Sequence, residues 1–213
     1  MPESHARGLL ISIEGGEGAG KSTVLHAIRD LLVDRGFDVV LTREPGGTET
    51  GEAIRQLLLD PARELVPEAE LLLMFAARAQ LVREVVVPAL ARGAAVLTDR
   101  FTDASFAYQG GGRGLDMSVI AGLERWAAGL KPDLTFLLDV GVETGLARVR
   151  SRGNATDRIE NEHAAFFERV RQAYLERAAA EPQRIRVIDA AQSPESVLAE
   201  ARAGLSAWLD ARP

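Results

Sequence analysis

The sequence predicts an α/β fold, with a five-stranded parallel sheet flanked by helices. Three observations predict it. Short runs rich in Val, Leu and Ile alternate with longer runs of helical periodicity along the chain. The short runs are nearly continuous in apolarity, as strands covered on both faces are. Between the first strand and the first helix, Gly15-Gly16-Glu17-Gly18-Ala19-Gly20-Lys21-Ser22 fits G-x-x-x-x-G-K-[ST], the phosphate-binding loop.

The first strand, Leu9–Glu14, leads into that loop. The helical pattern Lys21–Arg35 stops at Gly36, a residue suited to a helix C-terminus. The second strand, Asp38–Thr42, runs into Thr42-Arg43-Glu44-Pro45-Gly46-Gly47-Thr48, where one proline and two glycines force a turn. A helix over Thr48–Leu59 follows. A long helical pattern, Pro67–Arg92, stops at Gly93, and Pro88 is expected to kink or divide it. The third strand, Ala94–Asp99, precedes a helix over Met117–Ala128. The fourth, Leu134–Asp139, precedes a helix over Val142–Arg150. Arg148 to Arg158 is polar and arginine-rich, and reads as a mobile flap on the ligand side of the sheet. A helix over Asn161–Ala180, a fifth strand over Arg186–Asp189 and a helix over Pro194–Leu209 complete the pattern. No proline- or serine-rich linker divides the chain. The expectation is one domain over residues 1–213, with the flap at about 148–160.

Composition narrows the function. A length of 213 residues, 46% of them hydrophobic and 26% charged, suits a globular chain that buries a core without staples. The absence of cysteine excludes disulfides and thiolate metal sites and suits a reducing cytoplasm. A net charge of −6 argues against extended nucleic acid as the main partner. Met1 to Gly8 contains no apolar stretch of the kind a secretory leader needs. The apolar run Ala69–Ala77 is interrupted by Glu70 and is too short to span a bilayer.

The chemistry concentrates at strand ends. In the loop, glycines let backbone N–H groups turn inward as a concave anion nest, reinforced by the positive end of the following helix. Lys21 brings a charge for the outer phosphates and Ser22 a hydroxyl for Mg²⁺. Ligands of parallel α/β sheets lie beyond the carboxyl ends of the strands, which singles out Glu14, Arg43, Asp99, Arg100 and Asp139. The turn after the second strand aims Arg43 at that crevice, where a guanidinium can grip phosphate bidentately; the alternative is a salt bridge to Glu44. Asp99 is placed as a Mg²⁺ partner and Arg100 faces the same site as Lys21, unless the two form a pair that only orders the loop. Glu17 costs electrostatic energy inside an anion nest, so it must look outward to hydrogen-bond donors such as a sugar hydroxyl, unless it is merely exposed at a loop tip. Arg148, Arg150, Arg152 and Arg158 either form a solvated face or bring cations to a transferring phosphoryl group. His5, His26 and His163 lie outside these clusters, and no Asn-Lys-x-Asp guanine-reading motif is present.

Taken together the motifs resemble the bacterial thymidylate kinase family. They are Glu14-Gly15-Gly16-Glu17-Gly18-Ala19-Gly20-Lys21-Ser22-Thr23, Thr42 to Thr48, Phe75-Ala76-Ala77-Arg78-Ala79-Gln80, Asp99-Arg100-Phe101, Ala107 to Gly114, Pro132-Asp133-Leu134 and Asp157-Arg158-Ile159-Glu160. The resemblance implies a P-loop NTPase fold of nucleoside monophosphate kinase type. It implies phosphorylation of dTMP to dTDP with ATP as co-substrate, Mg²⁺, and a homodimer. It places ATP on Gly15 to Thr23, and Arg43 and Arg100 on the dTMP phosphate. It sets Glu17 at the sugar 3′-hydroxyl, Tyr108 against the 2′ position, and Arg78, Ser105 and Gln109 at the thymine edge. Arg152 matches the lid arginine of a subclass lacking an arginine in the phosphate loop, and joins Lys21, Asp99 and Arg100 in the catalytic set. The family's aromatic four residues before the base-site arginine is Met74 here, which leaves Phe75, one residue on, as the candidate to stack on thymine. Ala104 replaces the family's usual Ser. Two other readings stay open on sequence alone: a kinase for another nucleoside monophosphate, and a nucleotide-dependent switch with no second phosphate site.

Overall fold

The computed structural model describes residues 7–151, 157–160 and 162–212. Five strands form one parallel sheet: β1 (Leu9–Gly15), β2 (Val39–Arg43), β3 (Ala95–Asp99), β4 (Leu134–Asp139) and β5 (Ile185–Asp189), in the order β2-β3-β1-β4-β5. Central β1 is buried at every position, and it pairs with β3 (Ile11 opposite Leu97) and with β4 (Ile11 opposite Leu134). The five expected strands are all present, with ends moved by one residue at most. The carboxyl ends of β1, β2 and β3 lie together in register, Ile13 and Arg43 both opposite Asp99. The sheet therefore converts sequence-distant residues into neighbours.

The helices are α1 (Lys21–Asp34), α2 (Glu49–Leu59), α3 (Pro67–Leu81), α4 (Val87–Ala91), α5 (Thr102–Ser105), α6 (Met117–Leu123), α7 (Val142–Ser151), α8 (Ala164–Ala180) and α9 (Pro194–Asp210). On one face of β1, Ile11 and Ile13 pack with Val24, Ile28 and Leu32 of α1 and with Ala201 and Leu205 of α9. Leu10 belongs to a second cluster with Leu81, Val86 and Val96.

The long helix expected over Pro67–Arg92 is divided as Pro88 suggests. A π-helical segment, Val82–Val86, joins α3 to α4, and Pro88 falls in the first turn of α4, where its missing N–H is tolerated. The helical run through α5 and the π segment Phe106–Gly112 has no counterpart in the sequence reading, which assigns no element between Asp99 and Met117. The glycines at its end serve close packing. A Cβ on Gly112 would lie 2.5 Å from the Phe166 ring, and one on Gly111 2.8 Å from the Arg169 carbonyl oxygen, both on α8. The stretch expected as a flap is anchored at both described ends. α7 continues to Ser151, with Arg148 donating to the carbonyls of Gly18 (3.4 Å) and Ala190 (3.0 Å). Arg158 donates to the Leu58 carbonyl (2.8 Å) and to Glu70 (2.7 Å). Among the described residues no helix is long and apolar enough to cross a membrane.

Candidate active site

The phosphate loop joins β1 to α1. Gly15 (φ 140°), Gly18 (φ 69°) and Gly20 (φ 90°) take backbone angles that L side chains rarely adopt. Space adds a second constraint, since a Cβ on Gly18 would meet the Gly145 carbonyl oxygen of α7 at 2.1 Å. Helix α1 starts with no side-chain cap and no acidic residue in its first turn, whereas α2 starts with a Thr48 cap plus Glu49 and Glu52. The positive end of α1 is thus left for an external anion. Lys21 donates to the carbonyls of Gly15 (3.2 Å) and Gly16 (3.0 Å), and burial, then Arg100, lowers its pKa.

The loop forms one wall of a cleft of about 550 Å³. Residues Glu17 to Thr23 line it, with Arg43, Arg55, Arg78, Asp99, Arg100, Ser105, Tyr108 and Gln109. Gly15 and Gly16 lie behind the lining and hold Lys21 through their carbonyls.

Arg100 faces the same cleft as Lys21, as the sequence predicts. It is the non-glycine residue with positive φ among the described residues (70°). Its guanidinium donates to Glu17 Oε1 (2.6 Å), the Gly15 carbonyl (3.0 Å) and the Tyr174 hydroxyl (3.2 Å), and its centre lies 4.7 Å from the Tyr108 ring centroid. Tyr108 also donates to Glu17 Oε1, at 2.9 Å. Glu17 does find donors, and they come from the protein itself.

Arg43 pairs with Glu52 (3.0 Å) rather than with Glu44, because Glu44 turns inward to Arg78. Arg78 is 2% exposed and donates to Glu44 Oε2 (2.6 Å), Ser105 Oγ (2.9 Å) and the Phe101 carbonyl (3.1 Å). Burial pushes the Glu44 carboxyl up against the pull of Arg78. Gln109 donates to Glu70 Oε1 (2.9 Å), a buried carboxylate that also takes Arg113 (3.0 Å) and Arg158 (2.7 Å). Burial opposes ionisation of Glu70, but these donors outweigh it and lower its pKa.

Several expectations need correction. Phe75 does not line the cleft; it is 2% exposed, packs with Leu71, Phe106 and Ile120, and lies 4.5 Å beneath the Arg78 guanidinium. Met74 is in the lining instead, since one residue is a 100° turn of the helix. Ala104 lies in the lining beside Ser105. Glu14 lies behind the loop, accepting from the Phe101 N–H (2.7 Å) and the Tyr174 hydroxyl (2.7 Å). Burial and then nearby Asp103 raise its pKa to about 8. Asp139 is taken by Arg171 of α8, at 2.7 and 2.9 Å. Arg152 lies outside the described residues.

Sequence reasoning missed Arg55, Glu44, Glu70 and Tyr174. Arg55 lines the cleft and donates to the Pro45 carbonyl, at 2.9 Å. Two helical turns beyond the Thr48 cap, it shares a face with the turn, a signal legible in principle. The other three act through partners far away in sequence, which spacing does not reveal.

The donor set fits a divalent cation. Asp99 Oδ1 is buried with no hydrogen-bond partner among the described residues, and Asp99 and Ser22 line the same cleft. Hard oxygen donors of this kind suit Mg²⁺.

Fold and cleft define a phosphate-loop nucleotide kinase. The sequence matches the family described as "Thymidylate kinase" over residues 13–201. It is 55% identical over 206 residues to the thymidylate kinase of Ectopseudomonas mendocina (strain ymp), covering 96% of this chain and 98% of that protein. It is 58% identical over 205 residues to that of Chromohalobacter salexigens, covering 95% and 97%. The crystal structure of thymidylate kinase from Ehrlichia chaffeensis superposes with a TM-score of 0.77 at 32% identity, covering 94% of this chain and 99% of that one. The chain belongs to the thymidylate kinase family.

Proposed function

We propose that this chain transfers the γ-phosphoryl group of ATP to dTMP, giving dTDP and ADP. The observation that carries the reading is one cleft with two anion-binding surfaces: the phosphate loop with Lys21, and Arg43, Arg55 and Arg100 with the neutral polar pair Ser105 and Gln109 beside them. A nucleotide switch has no use for the second surface.

In this reading Gly15 to Thr23 hold the ATP phosphates, with Lys21 exchanging backbone carbonyls for phosphate oxygens. Arg100 and Arg43 hold the dTMP phosphate. Tyr108, stacked on Arg100 and bonded to Glu17, closes the space beside the sugar and favours deoxyribose. Arg78, Ser105 and Gln109 meet the thymine edge, with Met74 as the apolar surface. The acceptor phosphate is already anionic, so positioning and charge neutralisation replace a strong general base. Ser22 and Asp99 would hold Mg²⁺, which supplies positive charge against the transferring phosphoryl oxygens when bound.

We further assign the chain to the subclass that draws its catalytic arginine from a lid. The support is the loop itself, Gly15 to Ser22, which contains no arginine, and Arg152 in the arginine-rich stretch at about 148–160. The reading also includes a single kinase domain over residues 1–213, a reducing cytoplasmic setting consistent with the lack of cysteine, and a homodimer. Support for the dimer is the outward strip on α3, where Leu72 is 59% exposed and Ala76 is exposed one turn on.

ADP release measured over a panel of nucleoside monophosphates tests the substrate. dTMP is expected to give the highest kcat/KM. A better acceptor elsewhere in the panel, or ADP release indifferent to the acceptor, would overturn the reading.

A further inference from the structure

Arg100 is held by more than its ligand requires. A non-glycine residue at φ 70° persists only where its surroundings over-determine it. Three backbone bonds fix the main chain there: the Arg100 N–H donates to the Ile13 carbonyl (3.0 Å), Thr98 Oγ1 donates to the Arg100 carbonyl (2.8 Å), and the next N–H, of Phe101, donates to Glu14 (2.7 Å). The guanidinium is fixed separately. Glu17 and the Tyr108 ring hold it on the cleft side, while Gly15 and Tyr174 hold it from behind.

Of the three side chains in this set, Tyr174 is the one outside the cleft lining. It comes from α8, is 3% exposed, and packs its ring edge-on against Tyr108 at 6.3 Å. Its hydroxyl has one proton, and that proton goes to Glu14 Oε2 at 2.7 Å. The oxygen lone pairs are therefore left for Arg100 Nη1. When Glu14 is ionised, as it is at alkaline pH, it takes the phenol proton and leaves the phenol an acceptor, which fixes the direction of one arm of the arginine. Without it, that arm keeps only the Gly15 carbonyl to set its direction.

We propose that Tyr174 is a positioning residue for the acceptor phosphate: oriented by Glu14, its hydroxyl sets the Arg100 guanidinium for that phosphate without touching the substrate. The proposal rests on the reading in which Arg100 binds the dTMP phosphate.

Calorimetry with Tyr174→Phe, Arg100→Ala and the unaltered chain tests it, using dTMP and thymidine as probes at alkaline pH, above the range in which Glu14 titrates. Thymidine has the same base and sugar but no phosphate. Tyr174→Phe is expected to weaken dTMP binding by about tenfold, the loss typical of one hydrogen bond to a charged group, and to leave thymidine binding within about twofold. Equal weakening of both ligands would mean that Tyr174 only supports the fold, and would overturn the proposal. So would unchanged binding of both. Arg100→Ala separates the two levels. If it retains the full preference for dTMP over thymidine, the assigned role of Arg100 fails. If it loses that preference while Tyr174→Phe keeps it, the positioning role alone fails.

Discussion

Glu17 is a carboxylate in a loop built for anions, and it is stable there because Arg100 and Tyr108 both donate to one of its oxygens. The sequence made the need for donors legible, but not their source, since both lie more than eighty residues away. Arg43 and Glu44 show the same limit. Adjacent opposite charges suggest a pair, yet each is claimed by a partner on another element, Glu52 and Arg78. Phe75 and Met74 exchange their expected places because a choice between helix neighbours is settled by which face meets the core. At this scale the sharpest prediction concerns Arg152. With no arginine in the phosphate loop, Arg152→Ala is expected to lower kcat by about 10²-fold or more, the cost of removing a cation from a transferring phosphoryl group. dTMP affinity should change little. Unchanged turnover in an ADP-release assay would exclude Arg152 as that cation.

Between elements, glycine marks the closest approaches. The phosphate loop and α7 meet backbone to backbone, with Gly18 against Gly145: a Cβ on Gly145 would lie 2.4 Å from the Glu17 carbonyl oxygen. Because both obstacles are main chain, neither can swing aside. Gly145→Ala is therefore expected to push α7 off the loop, costing about 1–3 kcal/mol of stability and raising KM for ATP. Thermal unfolding and ATP-dependent kinetics on the same preparation check this, and wild-type values in both would show that the contact is dispensable. Strand identity and order in sequence were legible, because parallel strands buried on both faces leave long apolar runs. The run through α5 to Gly112 was not, because glycines that admit α8 look identical in sequence to glycines that make a turn.

For the molecule as a whole, five parallel strands and the phosphate loop were readable in advance, whereas the tethers around the cleft were not. Glu70 is the clearest of them: it joins α3, the stretch from Gln109 to Arg113 and the Arg158 turn through three separate donors. Assembly is the other property of this scale. Sedimentation velocity is expected to find a dimer that Leu72→Glu converts to monomer, since a charge on that exposed strip would be trapped between copies. A dimer that survives the substitution would place the interface elsewhere. The order β2-β3-β1-β4-β5 has one more consequence. β1 is hydrogen-bonded on both sides, while β2 and β5 are the edge strands among the described residues. Edge-strand amides are expected to exchange with solvent through local fraying, and those of the inner strands β3, β1 and β4 only in larger openings. The phosphate loop is continuous with β1, the central and fully buried strand of the five. Its shape is therefore expected to last through every partial opening and to disappear only with the fold itself, so that heat inactivation and global unfolding are one event.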